Sequence, residues 1–545
     1  MLKKIFTLFV LFILFVSFTF SELPEEAKKD KKQLNKTTVL NQWRKIALNN
    51  LEMWFSNNGG SSDLTFPKNS GKGVIYSDGP ILSGMQGTDI RMQGRSNRPS
   101  SLQAGQSFEG VDPSDPQYRI YMVRKDWKNL PDNMEFYSGP NYTKADYNRD
   151  YNEWPIDMGA PYEILNGNRV PRFIGDEQAW YVMNDLTPPD NFYGTSPSGT
   201  EWQALVWAYN MTGPLANVIF KKHTIIHKGT KPFENTYLTY MSDPDLGDAA
   251  DDLIGCDTVL QMGYVYNGGA NDAIYGSDCP AAGYIFLQGP MVRTGEPNDI
   301  ANWNFGTKKG YKNLPMTSFN FTINGDPYYS DPVYDYAGAV ELYNLIQGKK
   351  KQGTEWINEV TNEVTTFPFS GDPVARTGWN DNTGIFRPRD VRLMLSSGPF
   401  TLAVGDTQEL VVGIVVGQGA DRLSSITVMK NYAILAQKTY DDLCASTTTV
   451  INKPKEIPSD YSLSQNYPNP FNPTTTIQYS IPKDEHVKLI IYDITGKVVK
   501  ELVNGHKVAG IYNVIFNASG YASGTYYYKL EAGEYKSVQK MMLVK

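Results

Sequence analysis

The densest grouping of chemically capable side chains is Ser242–Asp257, SDPDLGDAADDLIGCD. Asp243, Asp245, Asp248, Asp251, Asp252 and Asp257 fall within fifteen residues, with no Lys or Arg among them. Carboxylates this crowded repel one another unless water or a shared cation screens them. Short acidic side chains on a stretch shaped by Pro244 and Gly247 suit the roughly six to eight oxygens that calcium takes, although the spacing is not that of an EF-hand. Three readings stand: a structural Ca²⁺ site, a solvated loop, and catalytic carboxylates. The first is preferred, because hard-cation loops commonly brace extracellular modules. Asp243 and Asp245 lead as ligands, Asp251, Asp252 and Asp257 come next, and Asp248 suits a cap on the following turn.

Other reactive residues are thinly spread. A glycoside hydrolase needs two carboxyl groups about 5–10 Å apart across the sugar. Asp176, Glu177 and Glu201 are candidates only in that sense, since ordinary surface carboxylates are commoner. His223 and His227 lie in KKHTIIHKG, where β-branched residues favour a strand. Four residues of strand hold their attachment points about 13 Å apart, too far to share one zinc. Of three cysteines, Cys256 and Cys279 could close a disulfide around the Asn/Gly-rich segment after the acidic cluster, leaving Cys444 over. No nucleotide-binding glycine loop, nucleophile elbow or HExxH is present, so neither a nucleotide nor an organic cofactor is expected.

The elements that must position these residues read as mainly β. Glu201–Asn210, Val218–Lys228, Thr236–Met241, Thr258–Tyr266, Thr317–Ile323 and Val391–Leu395 are strand candidates. Gln408–Val416, with its run ELVVGIVV, suits a strand buried on both faces. Helices are expected from Thr37 or Thr38 to about Phe55, over Val333–Gln347, and over Asp421–Leu443. Between Ser61 and Asn191 the chain reads as irregular, with only short strands at Lys72–Tyr76, Ile90–Gln93 and Tyr118–Val123. The expected body, residues 22–445, is thus a large antiparallel β-sandwich with long loops and a few helices.

Composition narrows the function. Met1–Ser21 carries Lys3 and Lys4, then an apolar run and small residues, the pattern of a secretory signal peptide with cleavage placed after Ser21. Without it, 49 basic side chains face 58 acidic ones, a net of −9. Nucleic acid is not expected as a partner of such a chain. The 35 Tyr and 10 Trp have two readings, β-rich packing and sugar-stacking platforms, so extracellular glycan stands as a possible ligand.

The clearest motif lies near the C-terminus, where residues 446–460 form a linker and Tyr461–Pro482 reads YSLSQNYPNPFNPTTTIQYSIP. Three prolines fix φ and remove amide donors, so an extended lead-in is expected before strands at about ten-residue spacing, a small immunoglobulin-like sandwich. Asn504-Gly505 reads as one of its turns. Asn466, Tyr467, Pro468, Asn469, Pro470, Phe471, Asn472 and Pro473 resemble the opening motif of the type A C-terminal sorting domain of type IX secretion cargo, and the resemblance covers Tyr461–Lys545. It implies the type IX secretion machinery as partner and a secreted or surface location. The body, in segments such as WRKIALNNLEMWFSNNG and SSGPFTLAVGDTQELVVGIVVGQG, resembles secreted cargo with no assigned activity, so that resemblance brings no mechanism. Two readings of the body remain, a structural, adhesive or ligand-binding module and a polysaccharide-binding protein or glycoside hydrolase.

Overall fold

The computed structural model describes residues 42–95, 100–132, 142–186, 191–381, 383, 386–446, 460–466, 469–483, 485–507 and 510–544. The expected signal peptide, most of the linker, and Tyr467 and Pro468 lie outside them. The chain divides into two units between Thr448 and Thr449.

The body contains two large antiparallel sheets. The first runs Trp43–Ile46, Glu52–Ser56, Ser61–Thr65, Gly73–Gln86, Phe233–Asp243, Val391–Leu402, Ser318–Ile323, with Asp89–Gly94 also paired to Gly73–Gln86. The second runs Asp252–Asp257, Met262–Asn267, Ala281–Gln288, Thr407–Gly417, Val218–His227, Thr200–Ala208, Glu177–Asn184 and Gln103–Ala104, with Tyr121–Arg124 also on Glu177–Asn184. Leu82, Leu238 and Leu393 of the first sheet share one apolar cluster with Val206, Ile219 and Val412 of the second. The sheets therefore form a sandwich whose inner faces exclude water.

A helix covers each outer face. Arg422–Ser446 lays Ile426, Met429, Ala433, Ala436 and Tyr440 on Val411, Val415 and Ile285 of the second sheet. Asp421 starts it, accepting from the Leu423 and Ser424 amides, which satisfies donors that a helix leaves open at its first turn. Tyr336–Ile346 packs Ala339 and Leu342 over Ile81, Met241 and Met394 of the first sheet, with Asp335 as its cap. Thr407–Gly417 is accordingly buried on both faces, Leu410, Val412, Ile414 and Val416 inward and Val411 and Val415 outward.

Three expectations for the body change. The helix expected up to Phe55 is replaced, from residue 43, by the strands Trp43–Ile46 and Glu52–Ser56. Asn49 breaks the helical run: its Oδ1 accepts from the Leu51 amide and its Nδ2 donates to Val218 O, turning the chain back on itself. The stretch read as irregular holds Gly73–Gln86, fourteen residues long, and Glu177–Asn184. The latter showed no alternation because both faces are buried, Ala179, Tyr181 and Met183 on one side and Trp180 and Val182 on the other. Finally, Cys256, Cys279 and Cys444 are all free and buried, so the expected Cys256–Cys279 bridge is not formed. The Cys256 thiol instead donates to Pro368 O, inside the inter-sheet core.

The C-terminal unit is a second sandwich. One sheet joins Ser462–Leu463, Thr474–Ile481 and Gly510–Asn517, and the other joins Val498–Lys507, Glu485–Asp493, Gly524–Ala532 and Tyr535–Leu543. Leu463, Ile477, Tyr479, Leu489, Ile491, Tyr528 and Leu530 fill the space between them. Asn504-Gly505 is not a turn but continues Val498–Lys507, where Gly505 pairs with Val487.

Two measurements check this architecture. A Cβ at Gly417 would run into the backbone of Met429, so Gly417→Ala should lower the unfolding free energy by about 1–3 kcal/mol, read from the denaturant midpoint. Burial pushes all three thiols up, so a thiol reagent should label none in the native protein and all three after denaturation without reductant. Labelling of a single thiol after denaturation would restore the disulfide.

Candidate metal centre

The acidic stretch is not one loop. Asp243 ends the strand Phe233–Asp243, Asp245 follows in the turn, Asp248 caps the short helical turn Ala249–Asp251, and Asp252–Asp257 is the edge strand of the second sheet. Leu253 faces the helix side and Ile254 and Cys256 face the inter-sheet core. Spread over a strand end, a loop, a helical turn and an edge strand, the six carboxylates do not share one loop.

Asp243 and Asp245 do converge, and the residue that joins them is Asp390, immediately before the strand Val391–Leu402. One carboxylate oxygen from each of the three lies within 4.8 Å of the others. Arg392 stands among them. Its Nε is 3.0 Å from Asp243 Oδ1 and 3.7 Å from Asp331 Oδ2, and its Nη1 is 2.6 Å from Asp390 Oδ1. One guanidinium thus faces four carboxylates, counting Asp245, whose titration it also affects. Asp243 is buried, and its Oδ1 has no hydrogen-bond donor aligned on it despite the nearby Arg392.

The excess negative charge shows in the proton affinities. Burial, opposed by Arg392 and aided by Asp245, Asp390 and Asp331, pushes Asp243 up to about 7. Burial and then Asp390, against Arg392, push Asp245 up to about 6. Carboxylates crowded this way take up either protons or a cation. The donor set is all oxygen and suits a hard divalent ion.

The other expected ligands lie apart from this group. Asp252 is fully buried and its Oδ2 accepts from the Leu246 amide, with burial raising it well above the ordinary range. Asp251 rises to about 6 through burial and the nearness of Asp272 and Asp248. Asp257 is paired with Lys430 at 2.9 Å and accepts from the Val259 and Leu260 amides; these outweigh its burial and hold it below the usual carboxylate range. Asp248 accepts from the Ala250 amide, as a cap should.

The remaining candidates occupy structural positions. Glu177 and Glu201 belong to paired strands, but Glu177 is opposite Ala208 and Glu201 opposite Asn184. Seven residues of ladder part them, about 23 Å, far beyond a glycosidase pair. Glu177 accepts from Tyr147 Oη, Glu201 pairs with Lys228, and Asp176 pairs with Lys125. His223 and His227 share one strand and are both buried, with His227 Nε2 2.6 Å from Lys231 O. Eight of the ten tryptophans are buried, so the aromatic content serves packing.

In the C-terminal unit the motif residues fasten onto its last strand. The Asn469 Oδ1 accepts from the Met542 amide, the Phe471 amide donates to Met542 O, and the Val544 amide donates to Phe471 O. Phe471 is buried, and Asn466, also buried, donates from Nδ2 to Thr475 Oγ1 and from its amide to Tyr528 Oη. Pro470, Asn472 and Pro473 are exposed beside this clip.

Residues 465–545 match the family described as the secretion system C-terminal sorting domain. No curated protein matches the chain. Among solved structures it is similar to a polysaccharide lyase at 8% identity and a TM-score of 0.20, over 87% of this chain and 47% of that one. It is similar to latent PorU from Porphyromonas gingivalis at 10% identity and 0.14, over 92% and 32%. PorZ, described as a surface component of the type IX secretion system of the same organism, matches at 11% and 0.14, over 71% and 49%. The chain spans about half or less of the length of each, and likenesses this low carry no argument about activity. The sorting domain decides the matter of destination: residues 465–545 are a type IX secretion C-terminal sorting domain, which marks the protein as secreted or attached to the cell surface.

Proposed function

We propose that the body is a structural or adhesive module presented outside the cell, with calcium bound by Asp243, Asp245 and Asp390 completing its fold. The observation that carries this reading is the convergence of those three carboxylates, brought from segments almost 150 residues apart, around a single arginine. A cation there would bind together the end of Phe233–Asp243, the turn after it and the start of Val391–Leu402. These are neighbouring strands of the first sheet, so metal binding and folding are coupled. Arg392 neutralises part of the charge and keeps the apo site from flying apart; the ion supplies what remains.

Thermal or denaturant unfolding of the mature protein, with calcium and then with chelator, tests the proposal. Free calcium at about a hundred times its dissociation constant should add about 2.7 kcal/mol of stability. Asp245→Asn should abolish that increment while leaving the apo stability near that of the parent. Equal stability with calcium and with chelator would overturn the proposal.

The increment should also depend on pH. Because Asp243 and Asp245 hold protons up to about 7 and about 6 in the metal-free protein, calcium must displace them. The calcium-dependent stabilisation should be full near about pH 8 and fall away towards about pH 5, a loss on acidification that isothermal titration at several pH values would follow.

A further inference from the structure

The middle of the inter-sheet layer is polar. Asp78, on Gly73–Gln86 of the first sheet, meets Lys221, on Val218–His227 of the second, and His223 lies two residues further along that strand; all three are buried. Lys221 Nζ is 2.7 Å from Asp78 Oδ1 and 3.0 Å from Oδ2. A nitrogen so close to both oxygens is within the roughly 3–3.5 Å of the carboxyl carbon that defines a near-attack position.

The surroundings suit a reaction at that carbon. Tyr284 Oη donates to Asp78 Oδ2 at 2.9 Å, Tyr240 Oη donates to Oδ1 at 3.1 Å, and Ser61 Oγ also donates to Oδ1. Lys221 Nζ donates in addition to Tyr240 Oη at 2.9 Å and to Ser61 Oγ. Burial pushes both tyrosines well up, so they stay protonated donors. It draws Lys221 down towards the free amine against the pull of Asp78. His223 is held neutral, down to about 3, by burial and by Lys221, and neither of its ring nitrogens has a hydrogen-bond partner. A charged pair sealed here carries the desolvation cost of two ions, and a neutral amide would carry neither.

We propose that Lys221 and Asp78 condense into an amide bond that cross-links the two sheets of the body. Within the pair, one proton passes from the ammonium to the carboxylate, leaving an amine and a carboxylic acid. Nζ attacks Cγ, the C–N bond forms, and the carbonyl electron pair moves onto Oδ2, where the Tyr284 hydroxyl stabilises it as an oxyanion. The nitrogen gives up one proton to Tyr240 Oη, which touches both Nζ and Oδ1 and passes its own proton to the departing Oδ1 hydroxyl. The C–O bond breaks, one water leaves, and Nζ keeps a single hydrogen. No oxidant or reductant is involved. The cross-link closes a loop from residue 78 to residue 221 and constrains the unfolded chain as a disulfide would, in a body whose cysteines are all free.

Mass spectrometry of the purified full chain tests this without any variant. After denaturation and proteolysis, a branched peptide should join the segment containing Lys221 to that containing Asp78, lighter than the two separate peptides by one water. Lys221→Arg should remove the branched species and restore the missing water to the intact mass. Asp78→Asn should cross-link with loss of ammonia in place of water, an outcome that a purely ionic pair would not give. Tyr240→Phe should delay the appearance of the linked form in freshly folded protein. Recovery of both wild-type peptides unlinked and at full mass would overturn the proposal and leave the two residues as an ion pair.

Discussion

The body depends on the meeting of Asp78 and Lys221 across the gap between its sheets. Apolar side chains can fill such a layer in several registers, because Leu, Val and Ile substitute for one another at modest cost. A carboxylate and an ammonium cannot, since either one facing hydrocarbon alone is strongly destabilising. Slipping Val218–His227 by one residue would turn Lys221 and His223 outward and carry Phe220 and Lys222 into the core. The outward face is itself committed: Lys222 pairs there with Glu409, and Phe220 stacks on Trp207. The two charge pairs on opposite faces of one strand therefore lock it from both sides.

That lock reaches the carboxylate cluster through covalent and hydrogen-bonded neighbours. Ser242 donates to Tyr284 Oη, whose hydroxyl donates to Asp78. Ser242 is also paired with Leu393 in the adjoining strand, so the residue that touches the central network directly precedes Asp243. Once this register is set, Asp243 and Arg392 are neighbours across the ladder, and Asp390 arrives with Arg392. A weakly specified sheet would leave these charges scattered along an edge, each free to find water. The site is thus a product of strand alignment more than of the local loop.

How much of this could be read beforehand follows from what each signal depends on. Thr407–Gly417 was legible because a run of eight apolar or small residues can only be a doubly buried strand here, and Arg422–Ser446 because its apolar positions recur at helical spacing. Glu177–Asn184 is just as buried but contains Glu177, Gln178 and Asn184, so its ends look like loop. Trp43–Ile46 and Glu52–Ser56 mimic a helix because two aromatic residues fall at a helical interval; Asn49 decides otherwise through bonds to a distant strand. In the acidic stretch, composition was informative and direction was not. Crowded aspartates raised the expectation of a cation site, which stands as a proposal, while the burial of Asp252 and the pairing of Asp257 with Lys430 take these two elsewhere. Asp390, flanked by arginines almost 150 residues on, gave no sign of belonging.

The sorting motif, finally, is held in its shape by the far end of the unit. Asn469 and Phe471 reach their positions through Met542 and Val544, with Met542 lying 73 positions after Asn469. The exposed Pro470, Asn472 and Pro473 are displayed in this arrangement only while the final strand of the unit is in place. A tail that is threaded, nicked or incompletely paired carries the same letters without the same shape.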